Sequence, residues 1–176
     1  MDFLRIGSKL LSRQKLNQAI DKILEMRVQG NSQTEVAGIL GVDRSFISRL
    51  EALGEVNRGQ RLAVVGFPIA NKEPLQQLLV ELGVEYTLLL TEEERWKFFA
   101  GMEGAEVFNE SMRILVGLQD YDAVIFFGSD MRNKVVESIL GSHVITVNIG
   151  ESPIRSDVYL NPDEVCKLVE KVRSLE

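Results

Sequence analysis

The chain has 176 residues, 45% of them apolar and 26% charged, with a formal net charge of −6, one cysteine and one histidine. These shares belong to a soluble globular protein and exclude a long disordered tract, and no apolar run reaches the roughly eighteen residues of a membrane span. One cysteine forbids an internal disulfide. A lone histidine cannot build a histidine-rich metal site or an ordinary histidine-based triad, so no metal, no cofactor and no catalysis are expected.

The opening MDFLRIGSKLLSRQ lacks the apolar centre of a secretory signal, which together with the single cysteine predicts a cytoplasmic protein with no membrane partner. Phe3, Leu4, Ile6, Leu10 and Leu11 make this start rather apolar for a free tail. Packing on a helical core is expected of it, with a contact between subunits as the second option. Ser12 is placed to cap a helix running to about Val28, with Leu16, Ile20, Ile23, Leu24 and either Met26 or Val28 inward. Gly30 and Asn31 stop that helix, and Ser32 can cap the next.

From Gln33 to Leu53 the chain reads QTEVAGILGVDRSFISRLEAL, two short helical patterns either side of Gly41. Val36, Ala37 and Leu40 fall on one face of the first, and Phe46, Ile47, Leu50 and Leu53 on one face of the second. Gly41 can take the left-handed conformation that ends a helix, and Asp43 can accept hydrogen bonds at the start of the next. Ala37 suits a close helix crossing where a longer side chain would force the helices apart. The stretch resembles the helix-turn-helix of bacterial, archaeal and phage transcription regulators, in the broad Cro and repressor class. That pattern has a polar residue opening the first helix, a small residue four positions on, Gly then an aliphatic at the turn, and aliphatics within the second helix. Gln33, Ala37, Gly41, Val42, Ile47 and Leu50 fill those places. The resemblance covers this stretch and implies nothing about the rest of the chain.

Charge divides the chain. Residues 1–61 carry a balance of +3 and residues 62–176 a balance of −9, which together make the −6 of the whole. The boundary expected from this falls in the polar stretch 54–60, giving a helix-turn-helix DNA-binding domain over residues 1–60 and an α/β dimerisation or sensing domain over residues 61–176.

Beyond Arg61 the period changes. Leu62 to Phe67 is a short apolar run suited to a buried parallel strand, Pro74 opens a helix ended by Gly83, and Val84 to Leu90 is a second strand. A long helical region follows from Glu92 to about Leu118, interrupted around Gly101 to Gly104, with three glutamates in its first turn. Ala123 to Phe127 is a third strand, Met131 to Leu140 a helix, Val144 to Ile149 a fourth strand, and Asp157 to Leu160 a short fifth. A last helix runs from about Pro162 to Leu175. Alternating strands and helices predict a three-layer open parallel sheet, flavodoxin-like or Rossmann-like, in the order 2-1-3-4-5.

DNA readout needs donors and acceptors on the exposed face of the second helix, positioned by contacts to phosphates. Arg44, Ser45, Ser48 and Arg49 are the candidates for that face, and Gln33 and Thr34 for a phosphate grip at the start of the first helix. Arg27 and Arg58 are less specific phosphate candidates, while Asp43 and Glu51 add negative charge nearby. In the sheet, Gly66 and Phe67 end the first strand, Gly128, Ser129 and Asp130 the third, and Asn148 to Ser152 follow the fourth. The 2-1-3 order would gather these at the switch point as a small-molecule site, although any parallel sheet requires such turns. Trp96, Phe98, Phe99 and Phe108 read as core packing or a subunit interface, and Cys166 as a half-buried packing residue.

The function expected is a dimeric, sequence-specific DNA-binding transcription regulator whose partners are double-stranded DNA, a second copy of the chain and a candidate small-molecule effector. The alternative is an α/β small-molecule enzyme carrying an N-terminal protein-binding helical module.

Overall fold

The computed structural model describes residues 3–56 and 59–173. Asn57 in the expected linker, the phosphate candidate Arg58 and Leu175 at the expected end of the last helix lie outside the described residues. The chain divides into two compact units, Met1–Glu55 and Val56–Glu176. Among the described residues there are eight α-helices and a four-stranded parallel sheet, an α/β mix, beside one small antiparallel hairpin.

That hairpin stands where packing of the apolar start on the helical core is expected. Strands β1 (Phe3–Ile6) and β2 (Lys9–Ser12) pair antiparallel, with Ile6 opposite Lys9 across a two-residue turn at Gly7 and Ser8. Gly7 has φ +59° and Ser8 does not have positive φ, the pattern of a turn whose first central residue alone is left-handed. Phe3, Leu4, Ile6 and Leu10 stay exposed rather than packing into the helical core.

Helix α1 (Arg13–Val28) starts at Ser12, whose hydroxyl accepts from the Lys15 backbone N–H. Helix α2 (Gln33–Leu40) begins in a capping box: the Ser32 hydroxyl accepts from the Glu35 N–H, and the Glu35 carboxylate accepts from the Ser32 N–H. It ends at Gly41, left-handed at φ +67°, and helix α3 (Arg44–Leu53) follows after Val42 and Asp43. Asp43 does not cap α3 with its side chain; only its carbonyl serves the helix, accepting from Phe46 and Ile47. Ile23, Val36, Ala37 and Ile47 form the buried centre, with Met26, Leu40, Val42 and Leu50 packed against it. Several residues expected inward are not: Phe46 is 48% exposed and Leu53 86%, and Leu16, Leu24 and Val28 are exposed on α1. At about 100° per residue Phe46 and Leu53 lie some 100–120° round from Ile47, beyond the edge of so small a core.

In the second unit β3 (Leu62–Gly66), α4 (Lys72–Glu81), β4 (Tyr86–Leu89), α5 (Glu92–Phe98), α6 (Gly104–Leu118), β5 (Ala123–Gly128), α7 (Asp130–Leu140), β6 (Val144–Asn148) and α8 (Pro162–Arg173) follow one another. The strands lie in the order β4-β3-β5-β6, all parallel, which is the first four places of the expected order. The expected fifth strand is absent. Val158 makes one isolated parallel bridge to Ile69, in the loop after β3, and the Asn71 side chain bonds the backbone of Leu160 on both sides. The segment is thus tied to that loop and adds no strand beyond β6.

Both central strands are buried throughout, which accounts for their unbroken apolar runs. Leu62, Val64, Ile125 and Phe127 pack with Leu75 and Leu79 of α4 and Val165, Val169 and Val172 of α8. Ala63, Val65, Val124 and Phe126 pack on the opposite face with Leu118 of α6 and Val136 and Leu140 of α7. The long helical region does break, between Phe98 and Gly104, where Gly101 has φ +85°. Among the described residues no helix is long and apolar enough to cross a membrane.

Candidate functional site

Helix α3 buries Ile47 and turns Ser45 and Arg49 to the opposite side, with Ser48 on the flank and Arg44 in its first turn; all four are exposed. Among the described residues neither Arg44 nor Arg49 enters a salt bridge. Both guanidinium forks are therefore available to an anion or to a base edge. Thr34, in the first turn of α2, is exposed too.

Gln33 has a different place from the one expected. Its side-chain amide donates to Glu51 Oε2 at 2.7 Å, while Arg27 Nε donates to Glu51 Oε1 at 2.5 Å and Arg27 Nη1 to the carbonyl of Asn31. The hydrogen bond from Arg27, then that from Gln33, holds the Glu51 carboxyl below the ordinary carboxylate range. Gln33, Arg27 and Glu51 thus join the three helices, and the negative charge expected of Glu51 is matched locally by Arg27.

At the carboxyl ends of the strands the turns after β3 and β5 are adjacent: Gly66 stands beside Phe127 in register, and the Phe67 N–H bonds the Phe127 carbonyl at 3.2 Å. The polar groups there serve one another. Ser152 Oγ donates to Ser129 Oγ at 2.6 Å, the Ser152 N–H to the Asp130 carboxylate at 2.8 Å, and the Gly150 N–H to Asn148 Oδ1 at 3.1 Å. The bond from the Ser152 N–H first, then that from the Met131 N–H, holds the Asp130 carboxyl low. Gly66 is a site of close approach, since a Cβ there would stand 3.1 Å from both Leu89 and Phe127. A Cβ on Gly128 would meet the Phe126 ring at 2.4 Å and Asn133 Oδ1 at 2.8 Å.

Beside these turns lies a group that the linear reading missed. Arg132, in the first turn of α7, sets its guanidinium 5.4 Å from the centre of the Phe67 ring, and Phe67 meets Phe126 edge-on at 5.7 Å. Arg95, in α5, donates to Glu92 Oε1 at 2.7 Å, and Trp96 Nε1 donates to the same oxygen. Helices that follow parallel strands begin at the carboxyl edge of the sheet, so charged residues in their first turns are the signal that would have found this group.

No family model, curated protein or solved structure matches the chain. The reading of function therefore rests on its own geometry.

Two clefts share no residue with these sites. One of about 350 Å³ is lined by Met102, Glu106, Asn109, Glu110 and Arg113, and one of about 440 Å³ runs along α1 beside Leu24 and Val28. Trp96, Met102, Phe108 and Val116 are exposed, whereas Phe98 and Phe99 are half-buried and meet edge to face. Cys166 is half-buried, and burial, followed by the charge of Glu170, pushes its thiol up, away from thiolate chemistry. Among the described residues no group of histidine, cysteine and carboxylate side chains could hold a metal ion.

Proposed function

We propose that this chain is a sequence-specific, dimeric DNA-binding transcription regulator of the cytoplasm. In this reading residues 1–60 are a helix-turn-helix domain, and residues 61–176 are a Rossmann-like domain that dimerises and senses a small effector. The observation that carries it is the exposed surface of α3: Ser45 and Arg49 stand opposite Ile47, Ser48 lies on the flank and Arg44 is exposed in the first turn, on a helix set after a left-handed Gly41 and held to α1 and α2 through Glu51. A helix of that length presenting two unpaired arginines and two hydroxyls can enter a major groove and read base edges there. Thr34 and the start of α2 lie on the element that would meet the phosphates.

One such helix reads only a few base pairs, so discrimination calls for two copies on two half-sites. The exposed Trp96, Met102 and Phe108 supply an apolar surface for that pairing, with the hairpin residues Phe3, Leu4 and Ile6 second. The test is retention of mixed genomic fragments by the purified chain at several salt concentrations. Selective retention of one fragment that weakens as salt rises supports a regulator. Retention no better than that of an unrelated basic patch sinks it, and sedimentation showing only monomer with and without the selected fragment removes the dimer.

A further inference from the structure

Six buried side-chain nitrogen or oxygen atoms lack a hydrogen-bond partner among the described residues, and four of them belong to Glu92, Arg95, Arg132 and Asn133. These residues come from two helices, α5 after β4 and α7 after β5, and those strands flank β3 on either side. A buried guanidinium nitrogen without an acceptor is unfavourable, and two in one neighbourhood are more so, because like charges repel where water is excluded.

Glu92 takes part without completing the set. Its Oε1 accepts from Arg95 Nη2 and from Trp96 Nε1, its Oε2 is itself without a partner and bonds neither Arg95 Nη1 nor Arg132 Nη1, and its backbone N–H is held by Asp157. Lys72 and Glu94 pair with each other nearby. Arg132 has its guanidinium pushed below the ordinary range by burial first, then by the charge of Arg95, with Glu92 acting the other way more weakly. Arg132 thus keeps an unpartnered Nη1 beside the aromatic ring of Phe67. Arginine forks recognise oxyanions, and the carboxyl edge of a parallel sheet at its switch point is where small ligands bind.

The geometry points to an oxyanion site at this edge, in which Arg95 Nη1 and Arg132 Nη1 hold the phosphate or carboxylate group of a small molecule whose body lies against Phe67. This deepens the sensing role proposed above and rests on that reading only for its regulatory consequence. The site lies to one side of the Gly128–Asp130 turn, whose polar groups are satisfied by Gly150 and Ser152.

The experiment uses the full chain without DNA, titrated calorimetrically with inorganic phosphate and, separately, with acetate, each against chloride at equal ionic strength. Saturable binding of one or both is expected, and the stronger arm identifies the oxyanion. Arg132→Gln should weaken it by about tenfold or more. Should R132Q fail to fold, Arg132→Lys, which keeps the charge and loses the fork, replaces it with the same expected direction. Glu92→Gln should tighten binding several-fold by removing the carboxylate that pairs with Arg95. Three results overturn the site: no binding beyond chloride, binding unchanged in the Arg132 variants, or an E92Q chain that melts lower and binds no tighter. Fragment retention by the same preparations keeps the two readings apart. Oxyanion binding without DNA retention leaves this site standing and removes the regulator, and the converse removes only this site.

Discussion

Among the described residues the helical unit holds together on four buried apolar side chains, Ile23, Val36, Ala37 and Ile47. The described residues of the sheet unit bury thirteen against one face of its strands and eight against the other. The smaller unit supplements its core with directed polar bonds, the Ser32–Glu35 capping box and the Arg27–Glu51–Gln33 bridge across its helices. Those bonds fix α3 while leaving Arg44, Ser45, Ser48 and Arg49 exposed. The contrast teaches that a thin core can position a recognition surface when polar bonds set the helix angles, and that its stability is then easily lost. Apolar burial in the sheet unit gives rigidity to a second kind of site, made where strand ends meet helix starts.

The comparison is tested most severely in the sheet. Ile125→Ala, at a fully buried central position, should cost about 3–5 kcal/mol and bring the sheet unit's denaturant midpoint sharply down. A loss below about 1 kcal/mol would mean that the sheet tolerates a cavity there and is less tightly packed than its burial implies. Ile47→Ala should cost about 2–4 kcal/mol, felt by the helical unit alone. Calorimetry should resolve its early transition while the sheet transition stays in place. If both transitions move together, the two units melt as one body and the contrast drawn here fails.

A smaller effect separates surface from core. Arg44→Ala and Arg49→Ala should each lower affinity for a selected DNA site by about 1–3 kcal/mol where the residue makes a bidentate base contact, with the melting curve unchanged. Parent-like binding by both variants would assign the recognition face elsewhere. The smallest effect concerns Glu51. Glu51→Gln should destabilise the helical unit by about 1 kcal/mol at neutral pH, the pair being partly open to solvent. Because its folded pKa lies below the ordinary 4.5, the stabilisation is fully present above that value and disappears as pH falls through the folded pKa. The parent and E51Q should therefore converge in acid; a difference that persists there points to packing rather than charge.

Much of the second unit was legible because parallel strands buried on both faces must be continuous apolar runs. Leu62–Gly66 and Ala123–Gly128 announce themselves in this way, and the strand order followed for four places. The Asp157–Leu160 segment looked like a fifth strand, but residues that can extend do not say which edge they will meet. The hairpin at Phe3–Ser12 escaped for a related reason: Leu10 and Leu11 are adjacent, so no clean two-residue alternation marks the pair, and Gly7-Ser8 is a weak turn signal.

The candidate site divides along the same line. Gly41, the cap Ser32 and the polar side of α3 could be read directly, since each depends on residues within a few positions of one another. The attachment of Gln33 to Glu51 could not, because it depends on how three helices cross. Nor could the placing of Arg95 and Arg132 on helices that start at the same edge of the sheet. Periodicity, caps and turns are local properties of the chain, and the sequence alone determines them. Which distant side chains share one neighbourhood, and which buried polar atoms are left without a partner there, was decided only when strand order and packing brought α5 and α7 to the same edge of the sheet.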